Sequence, residues 1–386
     1  MTASIYPKSI YIHLPFCKTK CPYCDFASFT EKNKDIQSQY LKTLANEITS
    51  FFRTYKIDKN KTEIKSIFFG GGTPSIHSGK EIANIIKQLQ IFTKFHNEVE
   101  ITMEANPGTI DLDKLYKFKA AGINRLSIGA QTFSQKLLDK LARGHTVEDT
   151  FEIIELIKKV NFKSWSFDLI YGLPKQSLKD LEETLNLAIK QGSPHISAYA
   201  LSIETNTPFG NIYKNSYHPE LAQETELAEM YKLLNEKLAS NHFERYEVSN
   251  WAKTGHECKH NLTYWRAEEY FAFGLSAHGY FKSHRFANTR ELQKYMEIYS
   301  QEADLNTKIY DNYTKIDEAE KIEEEILLKL RLKEGLYLSP QIKDKLNQEK
   351  LNYYQSQDYL EANGEHIKLK DKAFFVSNHI IADLLS

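Results

Sequence analysis

Three cysteines stand close together in "YIHLPFCKTKCPYCDF": Cys17, Cys21 and Cys24, spaced C-x3-C-x2-C. Thiolates bind soft metals, and a closed tetrahedral zinc site takes four ligands. Three are one short. His13 would complete a Cys3His set, but it precedes Cys17 by four residues on an expected strand, which points it away from the loop. Cys258, the remaining cysteine, lies far along the chain with no cysteine neighbour. An iron–sulfur cluster on three thiolates keeps one iron open for a small chelate, such as the amino and carboxylate groups of an amino acid.

Such a loop needs a scaffold, and the chain alternates strand and helix patterns. Expected strands cover 9–15, 66–74, 99–107, 124–132, 164–174 and 195–204. Helical patterns lie between them at about 35–53, 79–92, 111–121, 134–141, 147–160 and 177–191. Pro and Gly mark most strand ends. Six strands alternating with helices imply right-handed βαβ units and a parallel α/β sheet. Periodicity does not separate an open doubly wound sheet from a barrel-like one. After Glu204 the rhythm stops. A long amphipathic helix is expected at 218–241 and an extra strand at 246–253, ahead of the irregular segment 256–280. A helix from about 315 places Ile322, Ile326, Leu327 and Leu330 on one face, with Gly335 as its cap. The tail adds short helices and a hairpin over "EHIKLKDKAFFV", the pattern of a small winged-helix-like domain.

Length and composition set the frame. With 386 residues, 41% of them hydrophobic and 26% charged, the chain can bury a large core in more than one domain. A formal charge of −1 gives no electrostatic reason to propose nucleic acid. The 23 Tyr and 22 Phe suit a core, and would equally suit a flat apolar ligand. No apolar run has the form of a signal peptide or the length of a membrane span, which implies a cytoplasmic protein. In a reducing compartment a cysteine cluster reads as metal-binding or catalytic rather than as a disulfide framework.

Parallel sheets bind ligands at the carboxyl ends of their strands. Those ends carry Tyr11, the run Gly70-Gly71-Gly72-Thr73, Glu104, Gln131, Asp168 and Ser202. Each alone could be a turn or cap residue. Together, behind a cysteine loop, they read as a site.

The cysteine spacing with Tyr23 before the last cysteine, followed by "GGGTP", resembles the radical S-adenosylmethionine (SAM) superfamily. With "FFGGGTPS", "EANPG", "SIGAQTF", "FDLIYGLP" and "HNLTYW", it resembles more narrowly the family of oxygen-independent coproporphyrinogen III oxidase and its relatives. The resemblance implies a partial (β/α)6 barrel. It implies a [4Fe–4S] cluster on Cys17, Cys21 and Cys24, with SAM on the fourth iron. It assigns Tyr11, Tyr23, Gly71, Gly72, Thr73, Glu104, Gln131, Arg143, Asp168 and Ser202 to the SAM site. The residue types suit SAM: carboxylates for its ammonium and ribose hydroxyls, a guanidinium for its carboxylate.

Two departures from the oxidase pattern matter. The oxidase has a further cysteine two residues after the last cluster cysteine, where this chain has Phe26. Its substantial N-terminal extension has no counterpart ahead of Tyr11. Both features resemble the sister group, the HemW-type heme chaperones, which are thought to lack decarboxylase activity. In that group the pattern H-N-x-x-Y-W is typical, which marks His260, Tyr264 and Trp265 as expected heme contacts. The alternative is that His260 satisfies a core turn and the aromatics pack the barrel end. For His278 in "SAHGY" the core alternative leads. The expected division is a radical SAM core over 1–245, a barrel extension over 246–300 and a C-terminal helical domain over 301–386. The implied cargo is heme, passed to haemoproteins whose identity the sequence leaves open, as it does a homodimer. An oxidase decarboxylating coproporphyrinogen III is the alternative, and a zinc-stabilised α/β protein a third.

Overall fold

A computed structural model describes residues 6–214, 218–302, 305 and 309–386. The first half is the alternation read from sequence. It runs β1 (Ser9–Leu14), α1 (Lys34–Thr54), β2 (Glu63–Gly71), α2 (Gly79–Phe92), β3 (Lys94–Ala105), α3 (Leu112–Ala121), β4 (Arg125–Gln131), α4 (Gln135–Lys140), α5 (Val147–Val160), β5 (Ser164–Tyr171), α6 (Leu178–Lys190) and β6 (His195–Ala200). Local chemistry sets these boundaries. Ser78, Thr146 and Ser177 cap α2, α5 and α6, each in a capping box closed by Glu81, Asp149 or Asp180. Gly122, at φ 109°, ends α3 in the left-handed region that favours glycine.

The second half is α7 (Pro208–Ile212), α8 (Glu224–Ala239), β7 (Glu244–Glu247), β8 (Asn250–Ala252), α9 (Lys259–Trp265), β9 (Phe271–Phe273), β10 (His278–Phe281), β11 (His284–Ala287), α10 (Leu292–Ile298) and β12 (Asn312–Lys315). There follow α11 (Glu318–Lys329), β13 (Leu336–Tyr337), α12 (Pro340–Lys345), α13 (Gln348–Ser356), β14 (Leu360–Ala362), β15 (His366–Leu369) and α14 (Ser377–Leu384).

The main sheet has nine strands in the order β7-β8-β6-β5-β4-β3-β2-β1-β9. Strands β1 to β6 and β9 pair in parallel, while β8 pairs antiparallel with β6 and with β7. Among the described residues no pairing joins β7 to β9, so the barrel is partial, as the resemblance implied.

Strand residues alternate faces, and the two faces differ in chemistry. One face, with Ile10, Ile12 and Leu14 on β1, Ile67 and Phe69 on β2, Leu126 and Ile128 on β4 and Phe167 and Leu169 on β5, is buried in the hydrophobic core. The other face turns into the barrel and is largely polar. Tyr11, Glu104, Ser127, Asp168 and Ser197 all line one interior cavity.

Several expectations need correcting. The strand expected at 246–253 is a bent antiparallel pair, β7 and β8, because the chain turns at 248–249. The helix expected at 218–241 begins at Glu224; residues 215–217 lie outside the described residues. Helix α11 ends at a Leu330 cap, not at Gly335, which forms a separate turn at φ 74°. On α11, Ile326 and Leu330 are buried, whereas Leu327 is exposed. The hairpin expected over 365–376 lies further back, as β14 and β15, with β13 completing a three-stranded sheet. Residues 371–373 are a 3-10 turn instead. This small sheet and α11 to α14 make up the winged-helix-like C-terminal region. Arg245 ties it to the main sheet by pairing with Asp371 at 2.5 Å and stacking 3.2 Å from the Phe374 ring centroid. Among the described residues no helix is long and apolar enough to cross a membrane.

The abundant aromatics are mostly core. Phe51 of α1 packs against Phe271, Phe273, Phe281 and Phe286. That cluster joins β9 and the β10–β11 hairpin to the barrel. Beside it Glu47 accepts from Gly274 N at 2.7 Å, Asn288 Nδ2 at 2.6 Å and the Tyr295 hydroxyl at 2.5 Å. Burial pushes its carboxyl up to about 7. The folded state therefore binds more protons than the unfolded state between about 4.5 and 7, and stability falls as pH rises through that window. Glu47→Gln removes this titration and mismatches one donor. The melting-temperature gap between parent and variant is expected to be widest at acid pH and to narrow toward pH 7. A gap that widens with pH in thermal melts would contradict this.

Candidate functional site

The cysteine loop leaves β1 at its carboxyl end. Its neck is closed by Cys17 N donating to Phe29 O at 2.9 Å and Phe29 N donating to Pro15 O at 2.8 Å. Two side chains reach the sulfurs. Thr73 Oγ1 donates to Cys17 Sγ at 3.4 Å, and Arg143 Nη1 donates to Cys21 Sγ at 3.4 Å. Asn106 bridges them: its Nδ2 donates to Thr73 Oγ1 at 3.1 Å, and its Oδ1 accepts from Arg143 Nη2 at 2.7 Å. Arg143 also donates to the Tyr23 hydroxyl at 3.2 Å and to Gly129 O at 3.1 Å. A single half-buried network thus runs from one cysteine to another through residues that follow β2, β3 and α4.

Burial pushes the Cys17 and Cys24 thiols above their ordinary range. A metal would have to displace their protons. Among the described residues no three His, Cys, Asp or Glu side chains close on one ion. Hydrogen bonds to the sulfur ligands of an iron–sulfur cluster are the kind of contact that Thr73 and Arg143 make. Against expectation, His13 does not point away from the loop: it lines the same cavity as the cysteines, with its Nε2 meeting Ala27 O of the loop at 2.9 Å and its Nδ1 meeting the Tyr11 hydroxyl at 3.1 Å, so both ring nitrogens are taken.

Next to the loop lies a cavity of about 1020 Å3. Tyr11, Tyr23, Gly71, Gly72, Thr73, Glu104, Gln131, Arg143, Asp168, Ser202, His260 and Tyr264 all line it with the three cysteines; Trp265 does not. Backbone lies very near the site at Gly71, which takes φ 112°; a Cβ there would sit 2.6 Å from the His13 ring. Its amide donates to Glu104 Oε2 at 3.2 Å. Burial, with Asp168 nearby, pushes the Glu104 carboxyl up to about 8. Asp168 accepts from Ser127 Oγ at 2.9 and 2.8 Å, and burial pushes it up to about 6. Among the described residues buried Gln131 Oε1 has no partner, an acceptor open to a donor. Two buried acids, an orphaned amide oxygen and a buried guanidinium fit a ligand carrying both an amino acid head and hydroxyls. Ser202 is exposed at the rim and donates to Glu204 at 2.5 Å.

The H-N-x-x-Y-W segment forms α9, which closes the cavity floor. Thr263 bonds Ser9, the first residue of β1, at 2.7 Å, and His260 Nδ1 bonds Ser66 Oγ, in the amino half of β2, at 3.0 Å. His260 Nε2 meets the Tyr264 hydroxyl at 2.7 Å. The ring stacks on Phe68 with centroids 5.3 Å apart, and burial lowers its basicity to about 3. This arrangement has the form of the core alternative for His260.

Sequence reasoning passed over Asn106 and Ser127. Their signal was the strand period of two: Asn106 stands two residues after Glu104, just past the end of β3, and Ser127 precedes Gly129 and Gln131 by steps of two.

Residues 11–188 match the Radical SAM superfamily, and residues 316–376 match the HemN C-terminal domain. With the cysteine loop at the carboxyl end of a partial barrel, these matches define a radical SAM protein. The heme chaperone HemW of Bacillus subtilis is 37% identical over 331 residues, 85% of this chain and 84% of that protein. HemW of Lactococcus lactis is 32% identical over 385 residues, 98% of this chain and 97% of its own. The chain belongs to the HemW heme chaperone family. Among solved structures, coproporphyrinogen III oxidase (HemN) from Escherichia coli, a radical SAM enzyme, superposes with a TM-score of 0.83 over 99% of this chain and 90% of its own. At 20% identity that likeness is one of fold.

Proposed function

We propose that this chain binds heme and delivers it to haemoproteins, and that it carries a [4Fe–4S] cluster and SAM. Cys17, Cys21 and Cys24 hold the cluster, which supplies an open iron for SAM and a one-electron reservoir. Tyr11, Tyr23, Gly71, Gly72, Thr73, Glu104, Gln131, Arg143, Asp168 and Ser202 face SAM. Arg143 keeps a fixed positive charge beside the thiolates. Glu104, held by the Gly71 amide, accepts from a cationic donor of the ligand. The observation that carries the reading is the about 1020 Å3 cavity, which joins this cysteine loop to an open, aromatic mouth in a member of the HemW family.

The test is hemin loading of the full chain, gel filtration, and incubation with an apo-haemoprotein. A retained Soret band that moves to the acceptor is expected. No retained heme would end the proposal. The decarboxylase alternative has likeness of fold alone behind it. It requires conversion of coproporphyrinogen III with SAM and a reductant, and turnover by cluster-loaded protein would displace the chaperone reading.

SAM binding carries its own expectation. A cationic ligand favours the Glu104 carboxylate, so affinity should rise with pH up to about 8. Glu104→Gln should weaken SAM by roughly tenfold and flatten that profile. Titration calorimetry on cluster-loaded protein checks both; an unchanged pH profile in the variant would remove Glu104 from the role.

A further inference from the structure

Four histidines line the cavity: His13, His195, His260 and His278. A heme iron needs a ring nitrogen that is free and reachable. His13 and His260 have both nitrogens engaged. His195 is buried: its Nε2 meets the Tyr246 hydroxyl at 2.8 Å, and its Nδ1, unpartnered among the described residues, is out of reach of an incoming ligand. His278 differs. It opens β10, its side chain is exposed, and neither ring nitrogen has a hydrogen-bond partner among the described residues. Partial burial and the neighbouring Arg290 and Arg285 lower its proton affinity, which leaves the imidazole neutral and able to ligate.

The surroundings at the mouth suit a flat dianionic macrocycle. Phe26 lines the same cavity yet is 65% exposed, an apolar ring with nothing covering it. Arg290 also lines the mouth. Its Nη2 donates to Asp25 O at 2.8 Å and lies 3.8 Å from Asp25 Oδ1, an exposed ion pair, while its other guanidinium nitrogens carry no partner among the described residues. An exposed aromatic, a cation with donors to spare and an unpartnered imidazole therefore share one opening.

We propose that His278 is the axial ligand of heme iron, with Phe26 against the macrocycle face and Arg290 on a propionate. This rests on the heme-binding reading above. It places the cargo at an exposed ring of the cavity mouth rather than at His260, which is buried with both nitrogens engaged.

The test titrates hemin into full-length, cluster-loaded protein and into His278→Ala, Arg290→Ala and His260→Ala. Cluster absorption is measured in each as a check on folding. Wild type should bind with a Soret band typical of histidine ligation. His278→Ala should bind about tenfold more weakly or worse, with a shifted Soret band that added imidazole restores. Arg290→Ala should bind more weakly while keeping the band position. A His278→Ala variant with wild-type affinity and spectrum overturns the assignment, as does loss of histidine ligation in a cluster-loaded His260→Ala alone. Failure of wild type to bind hemin would instead sink the heme reading itself. If His278→Ala loses its cluster, His278→Gln, which keeps side-chain bulk, decides by the same spectrum.

Discussion

Cys21→Ser is expected to give a folded chain that takes up no stable cluster. Cys21 is the buried member of the three, and Arg143 Nη1 donates to its sulfur at 3.4 Å. A serine hydroxyl can still accept that bond, so the Arg143 network to Asn106 and Gly129 should survive. What is lost is the soft thiolate that iron requires. With two thiolates left, reconstitution should yield near-zero iron and sulfide and little visible absorption. The thermal melt of the metal-free chain should stay within about 1 kcal/mol of the parent. Iron content equal to the parent's would mean that Cys21 is not a ligand. A collapse of the melt would mean that the loop matters to the fold as well.

The second large effect is expected at Gly72. Its backbone is not in the left-handed region, so its need for glycine is one of space. A Cβ there would meet Pro15 C at 2.7 Å, Phe16 O at 2.8 Å and Phe16 N at 2.9 Å. These are main-chain atoms at the entrance to the cysteine loop. They cannot swing aside as the tip of a side chain can. The Gly72 amide also holds Leu14 O at 2.8 Å, which fixes the approach. Gly72→Ala should therefore cost about 2–3 kcal/mol and lower cluster uptake together. Gly192→Ala is the control: it sits at φ 82° with nothing within 4 Å, so it should show only the strain of a left-handed alanine, about 1 kcal/mol. Thermal melts and iron analysis on the pair separate the effects. If Gly72→Ala melts like Gly192→Ala and loads normally, the close approach does not matter.

Much of this molecule was legible before any coordinates. The strand–helix alternation to residue 200 is written in local apolar runs, turn residues and capping boxes such as Ser78 with Glu81. The cysteine spacing, the glycine run and the polar strand ends fix the chemistry of one cavity end, because strand order brings carboxyl ends together whatever the helices do. Those signals are local, and local physics reads them.

The tertiary structure decided what meets what. Strand β9 pairs in parallel with β1 from the far end of the chain, and no short window contains both partners. Helix α9 carries the H-N-x-x-Y-W pattern, but only packing against β1 and β2 places it in the floor, where Ser66 and Tyr264 take both nitrogens of His260. His278, in an equally ordinary stretch, is left exposed at the start of β10, which belongs to a separate three-stranded sheet. Leu327 faces solvent although its helical face predicts burial, since α11 is covered on a narrower stripe than its sequence allows. Residue type and spacing determine which groups can do chemistry. Which of them keeps a free nitrogen is set by long-range packing, which spends hydrogen-bonding capacity in one place and leaves it in another.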